Sequence, residues 1–385
     1  MNFVHDLVNF MPALHDIVTY LNVLAPARLA AAWDNTGLLL GRRDQVVRKI
    51  LTCLTVTPEV VAEAVDGQVN LIVSHHPILF KAVKNLSDDS PEGRLLGPLL
   101  RADIAVYSPH TRFDNCIGGI NDQLAALFGL SDVQPLRSLA SPAVYKLVVF
   151  VPKPDVAKVL DAMVAAGAGW VGDGRYSECS FRTPGTGTFK GEAGANPTIG
   201  QVGTREEVEE DRIEVLVPVG KLNSVVETMK MAHSYEVVAY DVYPLMPWSD
   251  GGEGRHGKLK QATTLDEFAQ IAGRSTKAQA VQIVGDPGKP VQKVALACGA
   301  AGEFVDDAIR IGADIFVTGE LRFHDMLKAE AAGIGVVLLG HYASERPAVE
   351  WLAGNLQEQC PDVTCWASKR EHDPLRTVRI RAESA

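Results

Sequence analysis

Histidines and carboxylates recur along this chain at spacings that suit a metal site. His75 and His76 are adjacent, His110 and Asp114 are four apart, and so are His341 and Glu345; Glu320 stands in a fourth place. Imidazole nitrogen with carboxylate oxygen suits zinc, iron or manganese better than calcium, which prefers oxygen alone. A four-residue spacing puts His341 and Glu345 on one face of a helix. Each piece has a plainer reading as well. Paired histidines after a strand serve as a polar cap, Asp114 caps a turn with Asn115, and Glu345 is favourable beside a helix dipole.

The elements that must position these residues are apolar runs of strand length. LIVS (71–74) precedes His75 and His76, and IAVYS (104–108) precedes His110. IFVT (315–318) precedes Glu320, and VVLL (336–339) precedes His341. In open α/β sheets, sites form where loops converge at the carboxyl ends of strands. Four strand ends that all carry ligand-type residues make convergence the stronger reading. ILTCLTV (50–56) with a helix over 58–65, and VALAC (294–298) with GAAG and a helix from Glu303, extend the pattern. Continuous apolar strands separated by helices predict a parallel or mixed sheet covered on both faces.

The middle of the chain reads differently. Strands at 146–151, 177–182, 213–219 and 236–243 alternate with helices at 155–166 and 222–233. This β-α-β, β-α-β order is that of a small ferredoxin-like α+β domain. Within it, the Gly-rich TPGTGTFKGEAGANPTIGQVG (183–203) reads as a long hairpin or loop. The segment 246–260 reads as a loop returning to the first architecture. The expectation is a core domain in two halves, 1–142 and 248–385, interrupted by an inserted domain at 143–247.

Composition bounds the function. The 385 residues carry 47 acidic and 37 basic side chains, a formal net charge of −10, with 46% hydrophobic and 22% charged residues. That balance is ordinary for a globular protein. It argues against nucleic acid or an anionic membrane as a partner, since both attract basic surfaces. No apolar run is long enough to span a bilayer, and MNFVHDLVNFMPALHDIV (1–18) reads as an amphipathic helix, not a signal peptide. Six scattered cysteines without a CxxC pair read as reduced thiols in a cytoplasm, with Cys53 and Cys298 in the core.

A charge count indicates the kind of substrate. Two divalent cations bring four positive charges; Asp114 and Glu345 remove two, and a bridging hydroxide one. The remaining positive charge suits a small anionic substrate such as a phosphate ester. Paired metals about 3.5–4 Å apart activate water and steady a leaving oxygen.

WDNTGLLLG (33–41), SHHPILF (74–80), SPHTRFDNCIGGIND (108–122), TGELRFHD (318–325) and GHYASERPAVEWL (340–352) together resemble the NIF-three-like family, often called GTP cyclohydrolase 1 type 2 homologues. The resemblance covers about 1–140 and 250–380. It implies a dinuclear centre, with His75, His76, Asp114, His341 and Glu345 as ligands and His110 as an extra or neighbouring group. It also implies a toroidal homohexamer with the metal sites facing an internal cavity, and it makes the insert PII-like. It does not supply a reaction, because no residue here marks a guanine pocket. The expected function is hydrolysis of small phosphorylated or nucleotide-like molecules by metal-activated water; the alternative is a non-catalytic metal- or metabolite-binding protein with the insert as sensor or gate.

Other residues carry two readings each. Glu320 is a general base or the partner of a ligating histidine. Asp34 and Asn35 line a cavity or set the entry to a strand. GAAG (299–302) offers N–H groups to a phosphate or is a tight turn. Arg255 and His256 face a cavity or belong to a linker.

Overall fold

The computed structural model describes residues 11–139, 144–171, 176–246 and 251–378. The chain divides into two compact units, one of residues 1–139 and 250–385, the other of residues 140–249.

In the first unit, β1 (Gly37–Leu40), β2 (Lys49–Cys53), β3 (Leu71–Ser74), β4 (Ala105–Ser108) and β5 (Leu130–Ser138) precede the insertion. The second unit supplies β6 (Val144–Pro152), β7 (Ser180–Lys190), β8 (Arg205–Pro218) and β9 (Tyr240–Pro244). The first unit resumes with β10 (Gly252–Thr264), β11 (Gln282–Val284), β12 (Pro290–Leu296), β13 (Ile315–Thr318), β14 (Gly335–Leu338) and β15 (Thr364–Ala367).

The first unit holds two sheets, ordered β1-β4-β3-β2-β15 and β11-β14-β13-β12-β10-β5. The runs β15-β2-β3-β4 and β12-β13-β14 are parallel. Their central strands are predominantly apolar because both faces are covered, with Ser74 closing β3 and Thr318 closing β13. All four residues of β3, β13 and β14 are buried. The main core joins both sheets, from Leu14 and Ile17 through Leu71, Val73 and Tyr107 to Val317, Val337 and Leu352. The carboxyl ends of β3, β4, β12, β13 and β14 lead directly into the candidate site.

The second unit has the expected β-α-β-β-α-β order in an antiparallel sheet, β7-β8-β6-β9. Side chains alternate between the two faces here. Leu147, Val149 and Val151 of β6 and Ile213, Val215 and Val217 of β8 point one way, against Val159, Met163 and Met229 of the two helices.

The hairpin reading of the Gly-rich stretch holds, and one loop reading gives way to strand. The first part of the Gly-rich stretch is β7, paired with β8 from Ser180 to Lys190. The expected loop at 246–260 is largely β10, which pairs with both β5 and β12. Its glycines permit close packing: a Cβ on Gly254 would meet the Leu296 carbonyl oxygen at 2.7 Å, and one on Gly257 the Ser131 carbonyl oxygen at 2.8 Å. Arg255 is accordingly a buried sheet residue, ion-paired with Asp122 and donating to the carbonyls of Gly252, Gly254 and Cys116. The N-terminal helix runs Leu14–Leu24, and residues 1–10 of that expectation lie outside the described residues. Among the described residues no helix is long and apolar enough to cross a membrane.

Candidate metal centre

The strand-end residues meet. His75 and His76 leave β3, and their backbone N–H groups donate to the Cys53 and Leu54 carbonyls of the neighbouring segment. That fixes both rings at the sheet edge. Glu345 comes from the first turns of the helix His341–Gln359. Its Oε2 lies 3.1 Å from His76 Nε2 and 3.2 Å from His341 Nε2, and its Oε1 lies 4.0 Å from His75 Nε2. Asp114 Oδ1 is 3.5 Å from His75 Nε2. Two sets of ligand atoms each lie within 4.8 Å of one another: His75, His76 and His110, and His76, His341 and Glu345. His110 thus stands inside the cluster, as close to ligand geometry as to a neighbouring role.

Partners outside the cluster orient its rings. Asp34, with a fully buried side chain, accepts from His110 Nδ1 at 2.8 Å and from the Thr111 amide at 3.2 Å. Thr55 Oγ1 meets His76 Nδ1 at 2.7 Å. Glu320 Oε1 lies 3.2 Å from His341 Nδ1 and is half exposed at the rim. This is the arrangement in which a carboxylate or hydroxyl on one ring nitrogen directs the other to a metal. The His110 backbone adds strain: its φ of 39° lies in the left-handed region, which costs a non-glycine residue about 1–3 kcal/mol and recurs at functional sites.

Glycine explains how Glu345 fits. Gly299 has φ 63°, and a Cβ there would come within 2.4 Å of Glu345 Oε1. Its N–H donates to Ser344 Oγ and its carbonyl accepts from Gly319 and Glu320, so Gly299 itself serves packing. Cys298, read from sequence as core, lies at the site with Sγ 3.3 Å from Asp114 Oδ1.

The electrostatics call for cations. Burial raises the Asp114 carboxyl, and the nearby Glu345 charge raises it further. Burial also works to raise Glu345, but hydrogen bonds from His341 and His76 and the charge of His75 hold it well below the usual carboxylate range. His341 is pushed up to about 9, first by its bond to Glu345. Burial lowers His75. That ring is only 3% exposed, and neither Nδ1 nor Nε2 has a hydrogen-bond partner. A buried polar group without a partner is costly, and a metal ion is a partner for which neutral imidazole is well suited. The donor set therefore fits divalent metal.

The cluster floors a cavity of about 500 Å³ that also takes in Trp33, Phe80, Cys298 and Phe304. The Trp33 and Phe80 rings lie edge to face at its mouth, 6.0 Å apart, and both are exposed.

A family model described as Duf34/NIF3 (NGG1p interacting factor 3) matches residues 12–374. The chain belongs to this family. Among its NIF3 relatives is a Bacillus subtilis protein named GTP cyclohydrolase 1 type 2 homolog, 38% identical over 364 residues, covering 93% of this chain and 97% of that one. A Mycobacterium tuberculosis protein of the same name is 35% identical over 363 residues, 91% of this chain and 94% of its own. Among solved structures, a Bacillus cereus protein related to NIF3 aligns with a TM-score of 0.70 and 34% identity, covering 96% of this chain and all of that one. A Staphylococcus aureus protein aligns with a TM-score of 0.75 and 26% identity over 95% and 99% of the two chains.

Proposed function

We propose that His75, His76, Asp114, His341 and Glu345 hold two divalent ions, zinc, iron or manganese, and that the protein hydrolyses small phosphorylated or nucleotide-like molecules. The observation that carries this reading is His75, buried among ligand-type side chains with neither ring nitrogen in a hydrogen bond. Divalent ions held there would supply Lewis acidity and lower the pKa of water. The chain's own residues do the rest. Asp34 takes the Nδ1–H of His110 and leaves Nε2 as the nitrogen that accepts a proton from water. Glu320 holds His341 by Nδ1, turning Nε2 toward Glu345. Trp33 and Phe80 narrow the mouth and shield the cavity from bulk water.

Elemental analysis of protein purified without added metal, followed by a panel of phosphoesters and nucleotides, tests the reading. Combined His75→Ala and Glu345→Ala substitution is expected to remove bound metal and hydrolysis together. Hydrolysis that persists in a verified metal-free variant would sink it. Metal-replete protein that turns over nothing but binds one compound tightly supports the non-catalytic alternative.

A further inference from the structure

The second unit has a cavity of its own, about 690 Å³, within the range of small-molecule sites. Its floor is the sheet face turned away from the two helices. Cross-strand partners line it in rows: Thr183, Arg212 and Phe150 in one, Gly185 and Glu210 in the next. Tyr235, Val237 and the segment from Gly191 to Thr198 complete the wall. The Phe189 and Tyr235 rings sit 6.2 Å apart at one side.

Glu210 is the unusual group in this lining. It is 8% exposed, yet the only hydrogen bond to its carboxylate among the described residues comes from the Tyr235 hydroxyl, at 2.9 Å to Oε1. The neighbouring carboxylates have cations: Lys153 meets Glu209 at 2.6 Å, Arg182 meets Asp211 at 3.2 Å, and Arg212 meets Glu214 at 3.0 Å. Glu210 has a neutral phenol instead. Burial and the Glu210 carboxylate push the Tyr235 phenol up, so it remains a donor. A buried carboxylate without a cation is costly.

The TPGTGTF motif explains where the space comes from. Glycine weakens a strand interior and marks close approach of another group. A Cβ on Gly187 would lie 2.2 Å from Glu210 Oε2, so that glycine seats the carboxylate. A Cβ on Gly185 would meet nothing within 4 Å. Gly185 has no packing reason to be glycine, and it lies opposite Glu210 in the register.

We propose that this cavity binds a small organic amine with a flat apolar body. The ammonium group pairs with Glu210 Oε2, and the body lies over Gly185 between Phe150 and Tyr235. The test uses full-length protein and three indoles of similar shape: tryptamine, 3-methylindole and indole-3-acetate, titrated by calorimetry. Tryptamine is expected to bind at least tenfold more tightly than the neutral and anionic compounds. Glu210→Gln should erase that preference without lowering the melting temperature, since it removes a buried charge that lacks a cation. Gly185→Leu, whose Cβ enters open space, should abolish tryptamine binding and keep metal content unchanged. The proposal is overturned by no binding of tryptamine, by equal binding of all three indoles, or by tryptamine binding that survives Gly185→Leu. A Gly185→Leu variant with altered sedimentation also overturns it, because the face would then be an interface between copies. None of these readouts depends on the proposed metal chemistry.

Discussion

Asp34 tests how far one carboxylate outside the cluster governs the centre. Burial alone would raise its pKa, but bonds from His110 and Thr111 and the His110 charge bring it to about 2. His110 in turn is raised: burial works to lower it, but its bond to Asp34 and the charges of Asp114, Asp34 and Glu345 together prevail. Asp34→Asn keeps the shape and removes the charge. Loss of such an orienting partner typically lowers metal affinity or activity about 10- to 100-fold. Chelator competition followed by metal analysis measures the affinity, and an unchanged value would show that Asp34 only shapes the turn. The ligand-type residues themselves were legible from sequence because each follows an apolar strand, and strand ends converge. Asp34 was not, since its partner lies 76 residues away and WDN before GLLL reads equally well as a turn. Cys298 was hidden for a similar reason: a cysteine ending VALAC reads as core until Asp114 is placed beside it.

At the scale of elements, Glu63 shows how one side chain holds a strand in place. It lies on the helix Pro58–Asp66 and is 8% exposed. Its carboxylate accepts from Trp366 Nε1, Ser368 Oγ and the amides of Lys369 and Arg370, tying β15 and the following segment to the helix. Burial opposes ionisation, but these donors prevail and its pKa is lowered. A folded-state pKa below the unfolded one contributes stability above the unfolded value, about 4.3, and that contribution is lost as pH falls through the folded pKa. Glu63→Gln is therefore expected to destabilise by about 1–3 kcal/mol at pH 7 and by progressively less below pH 4. Urea denaturation across that range checks it, and a difference independent of pH would refute the ionic role. Elements of this kind differ in how clearly a sequence announces them. Strands such as β3 and β13 were legible to the residue, because burial on both faces leaves an apolar run closed by a single Ser or Thr. β10 was not, because Gly252, Gly254 and Gly257 look like breakers until the close approach of β5 and β12 is known.

At the scale of the whole molecule, the insertion point is itself informative. β5 and β10 are antiparallel neighbours, and their last register pair is Ser138 with Gly252. Such partners lie about 4.5–5.5 Å apart, a gap that an ordinary hairpin closes with two residues. Arg137 Nη1 and Glu253 Oε2, 3.0 Å apart, pin the next pair. The second unit therefore stands where a β-turn would suffice, and it carries a separate apolar core around Val149, Met163 and Val215. A unit with its own core attached through adjacent ends is removable in principle. Joining residue 139 to residue 251, with Leu139→Asn, leaves an Asn-Gly loop of the type that favours the right-handed twist of a hairpin. The shortened protein is expected to melt cooperatively and to keep the metal content of the full chain, because every proposed ligand comes from the first unit. It should also lose tryptamine binding altogether. Retention of metal with loss of the amine would assign the two chemistries to separate parts of one chain. A shortened protein that folds but holds no metal would mean that the insert, despite contributing no ligand, maintains the geometry of the centre.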